Sequence, residues 1–171
     1  ACAQAPSAQF DVDGDLWIVW SFGQHLYVSS SKNQGMSFSS PVQVNHVPEK
    51  IAARGENRPK IALDQQRNIY ISWTSPLDKP YTGDIRFSRS RDGGVHFSDP
   101  VTVNDNRDII THRFESMAVT DTGRVYLAWL DKRDRVKAEQ RGDNYPGAAL
   151  YYTYAESGED DFKPNIKIVD N

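Results

Sequence analysis

Apolar and polar residues alternate along most of the chain in short runs. The middle third shows this most clearly, in the runs PKIALD, NIYISWTS, DIRFSRS and PVTVN. Alternation with many β-branched and aromatic residues is typical of strands that bury one face. Turns rich in Asp, Gly and Asn, such as DQQRNI and TDTGRV, join the first two runs of a unit, as hairpins require. No segment has a convincing helical period, so the pattern predicts an all-β protein.

These runs recur as a repeat. Trp20, Trp73 and Trp129 each close one strand-like run, in LWIVW, NIYISW and RVYLAW. This spacing divides the single region 1–171 into three units of four strands, at about 7–46, 57–105 and 115–171. A four-stranded antiparallel meander repeated at this length is typical of a β-propeller blade. Because the three tryptophans are equivalent in the repeat, we predict that they pack in the core.

Two eight-residue segments, SKNQGMSF and SRDGGVHF, are similar in sequence and predict the same kind of turn. Asn or Asp accepts hydrogen bonds from backbone N–H groups of such a turn, and Gly supplies a positive φ. The Phe is expected to pack between neighbouring sheets. A calcium loop is the alternative, but both stretches lack the spaced acidic ligands and the closing Glu. We therefore predict structural turns and no metal site, with these key residues: Ser31, Asn33, Gly35, Phe38, Ser90, Asp92, Gly94 and Phe97.

The turns carry a resemblance to a known family. SRDGGVHF matches the Asp-box pattern S-x-D-x-G-x-x-F/W at all four positions, and SKNQGMSF matches with Asn33 in place of Asp. The chain thus resembles the sialidase-like BNR/Asp-box family of six-bladed β-propellers. The resemblance implies that three blades are half of a ring, completed by further chain or by a second copy in a homodimer. It also implies that the groove lies on the opposite face from the Asp-box hairpins.

Charged residues gather in the loops of that opposite face, at 45–59, 75–84, 104–116 and 131–147. Arg58 and Arg113 precede the first strands of units two and three, and converging guanidinium groups suit a carboxylate. No residue matches a catalytic motif, so the candidates are nominated by position. Catalytic candidates are Glu115 and Asp131, and substrate-binding candidates are Arg58, Arg113, Arg133 and Tyr145. Alternatively, Arg58, Arg113 and Glu115 pair with one another or with Asp131 and hold the loops in place.

The charge and composition of the chain narrow the classes of partner that it is expected to bind. With 20 basic and 23 acidic residues the net charge is −3, which favours neither nucleic acid nor an anionic membrane. No run approaches the roughly 18 apolar residues of a membrane span. The four histidines do not cluster at metal-ligand spacing, and no cofactor is expected.

The start of the chain bears on location. ACAQAPSAQ resembles the end of a secretory signal, which predicts a secreted, periplasmic or surface-anchored protein. Cys2 is the single cysteine, so no intrachain disulfide can form. It is either a lipid attachment point or incidental.

Three functions remain open at this stage. The first is a propeller module that binds a glycan or a protein on its loop face. The second is an exo-sialidase-like glycoside hydrolase, in which Arg58 and Arg113 grip an acidic sugar. The third is an assembly scaffold of a secreted or surface protein.

Overall fold

The structure, a computed structural model, describes residues 2–169. They form three four-stranded antiparallel sheets, and in each sheet the strands pair in chain order. Blade 1 comprises β1 Gln4–Phe10, β2 Leu16–Phe22, β3 His25–Ser31 and β4 Val42–Gln43. Blade 2 comprises β5 Lys60–Leu63, β6 Ile69–Pro76, β7 Gly83–Ser90 and β8 Val101–Thr102. Blade 3 comprises β9 His112–Val119, β10 Val125–Asp131, β11 Ala149–Ala155 and β12 Ile166–Val169. The predicted architecture of three antiparallel meanders is confirmed.

The structure differs from the sequence prediction by one helix, α1, at Arg133–Gln140 between β10 and β11. The prediction of no helix was wrong here because α1 has no apolar stripe; its buried residues are Arg133 and Ala138. Good helix-forming residues and an Arg135–Glu139 ion pair one turn apart favour it instead. A single 3₁₀ turn also lies at Gly55–Asn57. No helix within residues 2–169 is long and apolar enough to cross a membrane.

Two hydrophobic cores fill the spaces between consecutive blades. The core between blades 1 and 2 is built from residues that include Val19, Leu26, Ile71, Trp73 and Phe97. The core between blades 2 and 3 includes Tyr70, Phe87, Leu127, Trp129 and Tyr151. Blade 2 is therefore covered on both faces, and β6 is buried from Ile69 to Thr74.

The three repeated tryptophans do not share one environment. Trp73 and Trp129 are completely buried, as the repeat predicts. Trp20 is only half-buried, and its ring stacks on Tyr27 with centroids 6.2 Å apart. The difference arises because, within residues 2–169, no sheet packs on this face of blade 1.

The two Asp-box turns have the same internal bonding. In blade 2 the Gly94 N–H donates to Ser90 Oγ (2.8 Å) and the His96 N–H donates to Asp92 Oδ1 (2.9 Å). In blade 1 the Gly35 N–H donates to Ser31 Oγ (2.8 Å) and the Ser37 N–H donates to Asn33 Oδ1 (2.9 Å). The hydrogen bonds from His96 and Ser90 hold the pKa of Asp92 well below its usual range. These contacts account for the repeated Ser, Asp or Asn, and Gly.

The aromatic residue that ends each turn shows how blades stack. Phe97 lies in the core between blades 1 and 2. Phe162, its counterpart in blade 3, meets the Phe87 ring of blade 2 edge-on at 5.1 Å. Phe38 departs from the expected packing and is 44% exposed, because no sheet within residues 2–169 packs against it.

Candidate functional site

The first strands of the three blades lie side by side, since β1 contacts β5 and β5 contacts β9. Two adjoining cavities open beside them, where the link between blades 1 and 2 meets the start of β9. The first, of about 260 Å³, is lined by Gln4, Ile51, Ala52, Ala53, Arg54, Asn57, Pro76 and Arg113. The second, of about 520 Å³, is lined by Glu56, Lys60, Phe114, Glu115, Ser116 and Leu130. Each cavity is lined by residues that are chain neighbours of residues lining the other, such as Arg113 and Phe114. We call the two cavities together the inner groove.

A β-bulge in β9 lies where the chain passes from Arg113, which lines the first cavity, to Phe114 and Glu115, which line the second. Arg113 pairs with Leu130 and Ser116 pairs with Ala128, so Phe114 and Glu115 together oppose one residue of β10. Phe114 takes a left-handed backbone conformation with φ 60°, which is rare for an aromatic residue. Its N–H donates to Asn57 Oδ1 (3.3 Å). As a result Glu115 is buried and Phe114 is 43% exposed.

Glu115 is only partly satisfied in its buried position. Its Oε2 accepts a hydrogen bond from Thr74 Oγ1 (2.8 Å). Its Oε1 is buried and has no hydrogen-bond partner within residues 2–169. Burial raises the pKa of Glu115, although the charge of Lys60 and the bond from Thr74 oppose the shift. A carboxyl group of this kind retains its proton to higher pH than an exposed glutamate, and can donate it.

Lys60 and Phe114 complete the surroundings of Glu115. Burial lowers the pKa of Lys60, while the charge of Glu115 raises it. The Lys60 ammonium also donates to the backbone carbonyls of Glu56 (2.8 Å) and Arg58 (2.7 Å). The Arg113 guanidinium carbon lies 5.2 Å from the centroid of the Phe114 ring. The groove thus combines an aromatic ring, a guanidinium group and a buried carboxyl.

The first cavity holds two arginines, Arg54 and Arg113. Neither of them takes part in the ion pairs found within residues 2–169. Two guanidinium groups that share a cavity without a protein carboxylate favour an anionic ligand. Sequence analysis predicted a pair of arginines for an anionic ligand, but chose Arg58 and Arg113.

Arg58 follows the 3₁₀ turn, is exposed and lines neither cavity of the groove. Gly55, with φ 57°, and the turn after it separate Arg54 from Arg58. The alternative expectation, in which Arg58 and Arg113 pair with each other, also finds no support among the ion pairs of residues 2–169. Tyr145 is half-buried in the loop after α1 and lines neither cavity.

Asp131 and Arg133 belong to a separate buried cluster. Asp131 Oδ2 accepts hydrogen bonds from Trp129 Nε1 (3.0 Å) and from Arg133 Nε (3.0 Å) and Nη2 (2.8 Å). Arg133 Nη1 also bonds Asp105 (2.6 Å), and its guanidinium lies 4.3 Å from the Tyr151 ring centroid. Asp131, a predicted catalytic candidate, and Arg133, a predicted binding candidate, therefore lie outside the lining of the inner groove. Their polar atoms are engaged with each other, between blades 2 and 3.

Sequence analysis placed Arg54, Asn57 and Phe114 in loops of the expected groove face without choosing them as binding candidates, and it did not place Lys60 or Thr74 there. Within residues 2–169 no group of three His, Cys, Asp or Glu side chains is placed to hold a metal ion.

Solved structures share this architecture at low sequence identity. An α-L-arabinanase of Penicillium chrysogenum, complexed with arabinobiose, matches 99% of this chain with 50% of its own, at TM-score 0.68 and 13% identity. The GH93 α-L-arabinofuranosidase of Fusarium graminearum matches 96% with 48% of its own, at TM-score 0.66 and 12% identity. A Hadza microbial sialidase matches 94% with 36% of its own, at TM-score 0.57 and 14% identity.

These likenesses show the fold. The matched proteins are β-propeller glycosidases, and the present chain spans about half the length of the first two. It therefore consists of three blades of a β-propeller. No family model matches the sequence and no curated protein matches it, so the BNR/Asp-box resemblance rests on the turn motifs alone.

Proposed function

We propose that the chain is half of a carbohydrate-binding β-propeller, and that an acidic sugar binds in the inner groove. The observation that carries this proposal is the pair Arg54 and Arg113, which line one cavity with no ion-pair partner in residues 2–169. A sugar carboxylate is the glycan group that a guanidinium binds through two parallel hydrogen bonds.

The second cavity supports the same ligand class. The exposed ring of Phe114 offers an apolar surface to the C–H face of a sugar ring. Asn57 and Lys60, near the same wall, are suited to hydrogen-bond hydroxyl groups. A groove with one aromatic surface and a few fixed polar groups is the common form of a small-ligand site.

Titration calorimetry with a matched pair of glycans tests the proposal. We expect a sialylated or uronic-acid oligosaccharide to bind at least about tenfold more tightly than the same glycan without its carboxylate. Arg113→Ala should remove this preference. Arg58→Ala is the matched control, because Arg58 is an exposed arginine of the same link region outside the groove. Equal binding of acidic and neutral glycans by the unmodified chain would overturn the proposal.

A second candidate function is glycoside hydrolysis with Glu115 as general acid. It is favoured by the buried, unpaired Oε1 of Glu115 and by the raised pKa of its carboxyl. In such a reaction the acid passes its proton to the glycosidic oxygen as the bond to the anomeric carbon breaks, and a water molecule that a second carboxylate deprotonates attacks that carbon from the other face. Glu56 lines the same cavity and is the second carboxylate that this chain offers.

Leaving-group dependence tests this candidate. Glu115→Gln should lower the hydrolysis of a natural disaccharide by about a hundredfold or more. A dinitrophenyl glycoside needs little protonation to depart, so its hydrolysis should fall much less. Equal losses on both substrates would show that Glu115 is not the acid. If the unmodified chain binds a glycan but does not hydrolyse it, only the binding function is supported.

A further inference from the structure

The first and last blades each have one sheet face that no blade of this chain covers. The uncovered face of blade 1, called the front face, carries these side chains: Phe10, Trp20, Phe22, Tyr27 and Phe38. The uncovered face of blade 3, called the rear face, carries these: Tyr126, Leu130, Tyr152, Tyr154 and Ile166. Contiguous exposed apolar residues on a protein surface mark interaction sites.

The contact between blades 1 and 2 shows what such faces do when they meet. Blade 2 contributes Trp73 and Phe97, which are buried against Val19 of blade 1. Blade 1 contributes Trp17, which packs on the Asp-box turn of blade 2. A Cβ atom on Gly94 would lie 2.8 Å from Trp17 Cζ3.

The contact between blades 2 and 3 repeats the aromatic packing of this arrangement, although the third turn has Glu159 at the position of Gly94. Blade 3 contributes Trp129 and Phe162, the counterparts of Trp73 and Phe97. Blade 2 contributes Tyr70, the counterpart of Trp17 on β6. One kind of interface is therefore formed twice inside the chain.

The front and rear faces are the two unmatched halves of that same interface. Trp20 and Phe38 on the front face correspond to Trp73 and Phe97, yet Trp20 is half-buried and Phe38 is 44% exposed. Tyr126 on the rear face corresponds to Trp17 and Tyr70. Gly35 has no atom within 4 Å of the position of a Cβ, where Gly94 has the Trp17 ring.

We propose that a second copy of this chain covers both faces. The front face of each copy packs on the rear face of the other, and Gly35 receives the partner's Tyr126 as Gly94 receives Trp17. A two-fold axis relates the two contacts and closes a ring of six blades. The lengths of the matched solved structures agree with this number, because three blades correspond to about half of each. Closure also covers the two uncovered faces.

Light scattering after size exclusion tests the oligomer. We expect the 171-residue chain to elute at twice its mass of 19.3 kDa. Phe38→Asp places a charge on the front face and Tyr152→Asp places one on the rear face, and each variant should elute at the mass of one chain. Val95→Asp is the control, because Val95 is an exposed apolar residue of the blade 2 turn, outside both faces. Near-UV circular dichroism should show that all three variants keep their tertiary structure.

Mixing the two face variants distinguishes front-to-rear packing from any other dimer. A mixed pair contains one undamaged contact, between the rear face of Phe38→Asp and the front face of Tyr152→Asp. The mixture should therefore recover the two-chain mass in part, although neither variant does so alone. A front-to-front dimer would tolerate Tyr152→Asp and gain nothing from mixing. A one-chain mass for the unmodified protein, with cooperative unfolding, would also overturn the proposal.

Discussion

Asp131 and Glu115 lie on neighbouring strands of blade 3, and both carboxylates are buried. Asp131 is surrounded by donors from Trp129 and Arg133, so its charge is paired and its oxygens are bonded. Glu115 has one bond from Thr74 and an oxygen without a partner in residues 2–169. Burial of a carboxylate therefore does not by itself mark a functional site. What distinguishes Glu115 in the groove from Asp131 in its structural cluster is an oxygen without a hydrogen-bond partner beside a cavity.

The largest expected effect comes from breaking the Asp131 cluster. Asp131→Ala leaves the Arg133 guanidinium buried without its main partner, which should lower the free energy of unfolding by about 3–5 kcal/mol. Urea denaturation measures the loss. The matched change Glu115→Gln should cost far less, because no buried cation depends on Glu115 in the same way. Equal losses for the two variants would remove the distinction drawn between these carboxylates.

A smaller change in the free energy of unfolding is expected from the titration of Glu115. Its pKa is raised above the ordinary value of 4.5, so the folded protein retains a proton that the unfolded chain releases. Stability should therefore fall as the pH rises from about 4.5 through the folded-state pKa, by about 1.4 kcal/mol for each unit of elevation.

Urea denaturation between about pH 4 and about pH 7 checks this sign. The difference in unfolding free energy between the unmodified chain and Glu115→Gln should shift in favour of the variant as the pH rises. A difference that stays constant over this range would mean that Glu115 titrates as it does in the unfolded chain.

The smallest effect should come from Thr74→Val, which removes the hydrogen bond that Thr74 Oγ1 donates to Glu115 Oε2. We expect a loss of about 1 kcal/mol in unfolding free energy. The pKa of Glu115 should rise further, because that bond now favours the charged form. Carboxyl resonances followed by NMR would show the shift, and Ser72→Ala on the same strand is a control that leaves this bond intact. An unchanged pKa would show that Thr74 does not tune the carboxyl.

The contrast also explains what the sequence was able to predict. Strand periodicity and the two Asp-box turns are local patterns, so blade number, strand order and turn bonding followed from them. The groove depends on contacts between distant segments. That Arg54 rather than Arg58 shares a cavity with Arg113 depends on the turn at Gly55–Asn57, and no periodic signal encodes this. The helix α1 escaped prediction for a similar reason, since its sequence has favourable propensity but no apolar stripe.

The close approach of Trp17 to Gly94 has a consequence for how such a chain can grow. The glycine leaves room for an aromatic ring of the preceding blade, and the same unit supplies an aromatic ring to the blade that follows. The second unit thus contains both a receptor, at Gly94, and a donor, Tyr70, for its neighbours. A tandem duplication of one unit would add a blade that already fits on either side, without compensating substitutions elsewhere. The turn that occurs in both SKNQGMSF and SRDGGVHF therefore suits the addition of further units.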